Sequence, residues 1–223
     1  MTWDDMIFWQ SGEWQVVQEK LDDLERAGVA CNPERVNLFR ALDVLDLERV
    51  KVLIVGQDPY PDSRCATGVA FSIPSGVHPF PATLNNILRE YVEDLHLEWP
   101  PSGNLEQWCK QGVLLWNAIP SCESGKPGSH DWEEWKYLTK EIVELLSKKG
   151  IVFCFLGKKA QAFKEYVGPA DTDPIFPNHI LEFSHPSPRG SIMSKKPFQN
   201  SRMFSTINAC LAEQGKDAID WRL

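Results

Sequence analysis

Apolar positions along this chain follow two rhythms. Short runs occur at Val52-Leu53-Ile54-Val55, Gly112-Val113-Leu114-Leu115-Trp116, Ile151 to Leu156, and Ile180-Leu181-Glu182-Phe183. Runs of this length, rich in aliphatic and aromatic residues and closed by turn formers, predict short buried strands. Between them, apolar residues recur at steps of three and four, the spacing that lines one face of a helix. Val17, Leu21 and Leu24 make one such stripe and Leu38, Leu42 and Leu45 repeat it, so residues 1–50 read as helical. Leu84, Ile87, Leu88 and Tyr91 make another, with Thr83 placed to cap its start. Trp135, Leu138, Ile142 and Leu145 mark the inner face of a helix from Glu133 to Lys149 that Gly150 stops, and a last helix is predicted over Ser201 to Gln214. Parallel strands need long crossovers, which these helices supply. The expected fold is α/β: a single domain over residues 1–223, with a central four-stranded, mainly parallel sheet flanked by helices on both faces.

Each predicted strand runs into polar, turn-forming residues. The first meets Gly56-Gln57-Asp58-Pro59-Tyr60-Pro61, where the two prolines forbid both a continuing strand and an immediate helix. The second ends at Asn117, the third at Gly157-Lys158-Lys159, and the fourth at Ser184-His185-Pro186-Ser187-Pro188. If the strands are parallel, Asp58, Tyr60, Asn117, Lys158, Lys159 and His185 crowd one rim of the sheet, where open α/β sheets bind ligands. An apolar segment, Gly68 to Pro74, and a proline-rich loop, Pro79 to Ala82, follow the first strand.

Composition narrows the class. The chain has 223 residues, 43% of them apolar, which suits one large globular domain. No run approaches the ~18 apolar residues of a membrane span, and the acidic start, Met1-Thr2-Trp3-Asp4-Asp5, lacks the basic and apolar regions of a signal peptide, so the expectation is a soluble intracellular protein. Six cysteines show no C-x-x-C pair and no zinc-type spacing with His. The net charge of −8 is uneven: residues 1–123 carry nine Lys and Arg against nineteen acids, residues 124–223 fourteen against twelve. From His185 to Arg202 there are four basic residues, Arg189, Lys195, Lys196 and Arg202, and no acid, a local face suited to phosphates. A nucleotide-binding Rossmann protein is excluded by the missing G-x-G-x-x-G and P-loop patterns.

Four stretches carry a resemblance. Gly56-Gln57-Asp58-Pro59-Tyr60, Gly68-Val69-Ala70-Phe71-Ser72, Leu114-Leu115-Trp116-Asn117 and His185-Pro186-Ser187-Pro188, in this order, resemble the motifs of family 1 uracil-DNA glycosylases. The resemblance runs from Asn32-Pro33-Glu34 to Ala218-Ile219-Asp220-Trp221. It implies an enzyme that flips deoxyuridine out of single- or double-stranded DNA and hydrolyses its N-glycosidic bond, leaving an abasic site for base excision repair. It also implies no metal or cofactor, a monomer, and a proteinaceous inhibitor as a possible partner.

The same resemblance assigns roles. Asp58 stabilises the sugar cation and orients the attacking water, and His185, as a neutral imidazole, donates to uracil O2. Asn117 reads N3–H and O4, an amide pattern mismatched to cytosine. Tyr60 stands against C5, where the methyl of thymine would clash, Phe71 stacks on the extruded base, and Gln57 contributes mainly through its backbone. Thr83 and Ser187 grip flanking phosphates. Two departures stand out: Pro61 occupies the place where the family usually has His, and Arg189-Gly190 stands where most members have Leu-Ser, so Arg189 would either fill the gap left by the flipped base or make a plain phosphate contact. These departures raise the alternative of a relative with altered base preference, against which Tyr60, Phe71 and Asn117 together argue. A DNA-binding subunit without catalysis would need neither Asp58 nor His185.

Overall fold

The four apolar runs pair side by side into one sheet, three of them fully buried. In the computed structural model, which describes residues 2–171, 177–188 and 197–223, the elements in chain order are α1 (Glu13–Arg26), β1 (Cys31–Asn32), α2 (Arg40–Asp43), β2 (Val52–Gly56), α3 (Ala82–Leu95), α4 (Glu106–Lys110), β3 (Val113–Asn117), β4 (Cys122–Glu123), α5 (Glu133–Ser147), β5 (Val152–Leu156), α6 (Lys158–Gln161), β6 (His179–Phe183) and α7 (Met203–Glu213). The main sheet has the order β3-β2-β5-β6 and every pairing in it is parallel. Val52 lies opposite both Val113 and Val152, Gly56 opposite Asn117, and Leu156 opposite Phe183. All four C-terminal ends therefore reach the same rim, as the sequence pattern requires of a ligand-binding sheet edge.

Aromatic residues lock helices to this sheet. The indole of Trp116 on β3 donates to Thr139 Oγ1 on α5 at 2.9 Å, and α5 also carries Trp135 into a cluster with Phe8, Trp14 and Phe39. A second cluster joins α3, α4, α7 and the C-terminal segment: Trp108 packs edge-on to Phe204 and Trp221 and donates to the Trp221 carbonyl at 2.7 Å. Each such ring contributes ~1.5–3 kcal/mol by leaving water, and the indole N–H groups of Trp116 and Trp108 find partners inside.

The structure departs from the sequence expectation in four places. Residues 2–50 hold one long helix, α1, with the two-residue strand β1, the short α2 and single 3-10 turns besides, and Leu24 is only half-buried. The β6 strand is not buried on both faces: it is the sheet edge, Ile180 is 43% exposed, and Glu182 pairs with Lys164 at 2.9 Å. Thr83 is not a helix cap. Pro81, extended at φ −56° and ψ 148°, precedes the first turn of α3, so Thr83 lies within that turn. Finally, β1 and β4 form a two-residue antiparallel ladder too short to carry any hydrophobic period.

Candidate active site

The turn after β2 is held from behind. The Pro61 carbonyl accepts from Asn32 Nδ2 at 2.8 Å and from the Gly125 N–H at 2.9 Å, so the small β1–β4 ladder serves as its buttress. On the sheet side, the Gly56 and Gln57 carbonyls accept from the N–H groups of Ala118 and Ile119 at 3.1 and 2.9 Å. With both edges fixed, Asp58 enters a cavity of about 460 Å³. Eight residues expected at the site line this one cavity: Gln57, Asp58, Tyr60, Phe71, Thr83, Asn117, His185 and Ser187. Arg189, the ninth, lies outside the described residues.

Asp58 balances opposed effects. Burial pushes its carboxyl above the ordinary carboxylate range, and three neighbours pull it back: the Gly128 N–H, which donates to Oδ2 at 2.5 Å, the charge of Lys159, and the Gln57 side chain. Burial is the largest effect and the net direction is upward.

His185 is fixed in one tautomer by its surroundings. The Ser187 N–H donates to Nδ1 at 3.1 Å, so Nδ1 carries a lone pair and the proton of the neutral ring resides on Nε2. Burial lowers the imidazole below its usual value, which keeps the ring neutral near pH 7. Its position depends on Gly157, at φ 90° and ψ 162°, where an added Cβ would lie 2.9 Å from His185 Cβ. The Gly157 N–H in turn donates to the Phe183 carbonyl at 2.9 Å, which joins the ends of β5 and β6 beneath the histidine.

The remaining walls are aromatic and amide. Tyr60 donates its hydroxyl to the Phe71 carbonyl at 3.0 Å, which fixes the ring of Tyr60 and the backbone of Phe71 together. Phe71 sits at φ 66°, a left-handed conformation costing a non-glycine residue ~1–2 kcal/mol. The bond from Ala70 N–H to the Leu115 carbonyl at 3.1 Å, and that from Leu105 N–H to Ser72 Oγ at 2.9 Å, hold the segment there. Gly56 makes room for the result: a Cβ at this position would meet Phe71 Cζ at 2.7 Å and Asn117 Oδ1 at 3.0 Å. Asn117 is 7% exposed, and among the described residues no hydrogen bond engages its side-chain amide. Thr83 and Ser187 face the mouth from two elements that Asn86 ties together through Nδ2 and the Pro186 carbonyl at 2.8 Å.

Sequence reasoning missed the segment that serves Asp58. Pro127 lines the cavity and Gly128 supplies the N–H to the carboxylate, both from the turn after β4. The run Gly125-Lys126-Pro127-Gly128 is a visible turn signal, but nothing in its spacing points toward Asp58. Lys159 stands out in the sequence as a strand-end residue without a role; it contacts Asp131 at 3.3 Å and acts on Asp58 through its charge. Among the described residues no group of three or more His, Cys, Asp or Glu is placed to hold a metal.

An ionisable carboxylate, a neutral imidazole with a fixed N–H donor, an unengaged amide and two rigid rings around one cavity suit chemistry on a planar, hydrogen-bonding ligand. Known proteins carry the same scaffold. The model of the uracil DNA glycosylase superfamily matches residues 42–212. A uracil-DNA glycosylase of Coxiella burnetii is 40% identical over 211 residues, 92% of this chain and 88% of that one, and a uracil-DNA glycosylase of a Geobacillus species is 38% identical over 193 residues, 86% and 82% of the two chains. Among solved structures, mimivirus uracil-DNA glycosylase superposes with a TM-score of 0.84 at 26% identity, covering 97% of this chain and 85% of that one. A mimivirus UNG variant in complex with UGI superposes with a TM-score of 0.83 at 26% identity, covering 97% and 86%. On these matches, which span most of its length, the chain belongs to the uracil DNA glycosylase superfamily.

Proposed function

We propose that the chain flips deoxyuridine out of DNA and hydrolyses its N-glycosidic bond, releasing uracil and leaving an abasic site for base excision repair. The observation that carries this reading is the placement of Asp58 and His185 on separate strand ends around one cavity, with Asn117 joining them from β3. When the bond breaks, its electron pair goes to uracil N1 and spreads to O2 and O4, and C1′ of the sugar is left cationic. The Asp58 carboxylate stabilises that cation, orients the water that adds to C1′ and takes up the proton that water gives up. His185 donates Nε2–H to O2 as charge grows there. Removing one donor of this kind typically costs ~10²–10³ in rate. The Nδ1 bond from Ser187 and the lowered imidazole support this assignment, because both favour a neutral ring whose free N–H is Nε2.

The other side chains select the base. The Asn117 amide accepts from N3–H and donates to O4, Tyr60 blocks the space beside C5, and Phe71 stacks on the ring for ~1–3 kcal/mol. Gln57 acts through its backbone and through its contact to Asp58. Thr83 and Ser187 hold the phosphates on either side of the extruded nucleotide, and Arg189 fills the space it vacates. Among the described residues no helix is long and apolar enough to cross a membrane. The reading extends to a monomeric enzyme working inside the cell on single- or double-stranded DNA, without metal or cofactor. The UGI complex of the mimivirus neighbour supports a proteinaceous inhibitor as a further partner.

The test is incubation with oligonucleotides containing uracil, thymine, hypoxanthine or xanthine, followed by strand cleavage at abasic sites. Uracil alone should be released, and Asp58→Asn should lower the rate by about 10²-fold or more while retaining binding to uracil-containing DNA. Release of no base by the wild-type chain, or full activity in Asp58→Asn, refutes the assignment.

A further inference from the structure

The rim of the sheet opposite the active site carries its own charged depression. Arg49 and Lys51 precede β2, Lys110 ends α4, Lys149 precedes β5 and Lys216 follows α7. Together they line a hollow of about 550 Å³ in which Glu48 is the one acid among the described residues. The strands between this hollow and the Asp58 cavity are five residues long, which at ~3.3 Å per residue separates the two rims by about 16 Å. In a chain of net charge −8, five cations against one acid make a local field of the opposite sign to the whole.

These side chains are held in place by the fold. The Lys51 stem lies against Gly112, where an added Cβ would stand 3.1 Å from Lys51 Cγ, and both Lys51 N–H and Val52 N–H donate to the Gly112 carbonyl at 2.9 and 3.1 Å. The Arg49 guanidinium donates to the Lys110 carbonyl at 3.0 Å, and the Lys216 ammonium donates to the Gly150 carbonyl. Lys149 reaches Glu48 at 2.7 Å, but that carboxylate is 71% exposed and its charge is largely screened by water. Lys216 is the most constrained: burial first, then the charges of Lys149 and Lys51, lower its pKa. Like charges gathered in a concave, partly dry place repel one another unless an anion completes the set.

We propose that this hollow is a second anion site, separate from the uracil cavity, that binds closely spaced phosphates. Two sources present that chemistry: a free oligophosphate and the phosphodiester backbone of a nucleic-acid segment lying away from the lesion. Lysine and arginine donors of several elements converging on one hollow suit several phosphate oxygens at once.

The experiment measures binding of inorganic triphosphate to the full chain by calorimetry at low salt, in the wild type and in the double variant Lys51→Met/Lys216→Met. Methionine keeps the apolar stem and removes the charge. The expected result is saturable binding in the wild type that weakens at least about tenfold in the variant, with triphosphate raising the melting temperature of the wild type only. Uracil release from a short single strand should be unchanged, and the variant should melt at or above the wild-type temperature because repulsion has been removed. A second arm measures affinity for a long, uracil-free duplex against salt. A slope reduced by about two in the variant assigns the site to nucleic-acid backbone, and an unchanged slope assigns it to a free oligophosphate. Absence of triphosphate binding to the wild type, or equal binding in the variant, overturns the proposal.

Discussion

Replacing Gly157 with alanine tests how the fold places His185. At φ 90° and ψ 162° this backbone lies in a region that essentially only glycine occupies, so the substitution costs ~1–3 kcal/mol apart from any contact. The new methyl would then lie 2.9 Å from His185 Cβ and 3.4 Å from both His185 Cα and Cδ2. Relief requires the histidine loop to retreat by a sizeable part of an ångström, and it moves the ring in which Nδ1 is held by Ser187. A misplacement of ~1 Å costs on the order of 10²-fold in rate, and complete loss of a donor aimed at a developing oxyanion costs ~10²–10³. Single-turnover uracil release by Gly157→Ala should therefore fall about 10- to 100-fold. Its melting temperature should fall by about 2–12 °C, from ~2–4 °C per kcal/mol for a chain of this size. The double-mutant cycle with His185→Ala separates placement from general damage. In the His185→Ala background, Gly157→Ala should cost little further rate while the loss of melting temperature persists. A wild-type rate in Gly157→Ala, or the same fold-loss in both backgrounds, refutes the idea that Gly157 acts through His185.

Two further predictions concern selection and ionisation. Tyr60→Ala should gain measurable thymine excision, because the proposed function has this fixed ring exclude the methyl; a variant that removes uracil and never thymine contradicts the steric account. In the proposed reaction Asp58 works as a carboxylate, and its pKa lies above the ordinary value, so activity should be present above that pKa and lost as pH falls through it. Lys159 lowers that pKa by its charge, so Lys159→Met should move the acid limb of the pH–rate profile to higher pH, and less so at high salt; an unmoved limb at low salt contradicts the coupling.

Much of this site is legible in the sequence because its residues sit at points where two signals meet. Val52 to Val55 announce a buried strand and Gly56 through Pro61 announce its stop, so residue order alone puts Asp58 and Tyr60 on a rim. The same logic places Asn117 and His185, and parallel pairing brings all of them together. Gly128 is not legible, because a backbone N–H carries no side-chain signature and its approach to Asp58 depends on a two-residue ladder with no period. Thr83 reads wrongly as a cap for a related reason: cap preference is local, and the extended Pro81 starts the helix earlier. Neither Gly157 nor Gly56 declares its purpose in the sequence, since both are defined by what lies against the missing Cβ.

Pro61 is the residue whose meaning the structure changes most. By the resemblance it stands in place of a His, and its ring stiffens the turn. In the structure, the stiffness comes from its carbonyl, which accepts from Asn32 Nδ2, Gly125 N–H and, at 3.4 Å, Ser124 Oγ, all contacts that any residue at this position can keep. The polar groups that act on Asp58 are the Gly128 N–H, the charge of Lys159 and the Gln57 side chain, each of which lowers its pKa. Pro61→His should therefore restore a polar side chain at the cavity wall without loosening the turn, and without much gain. Its rate of uracil release should stay within about threefold of the wild type, well short of the ~10²–10⁴ that a missing acid–base group would return. A hundredfold acceleration would show that Asp58 is under-served in the wild-type chain and that Gly128, Lys159 and Gln57 do not compensate for the proline.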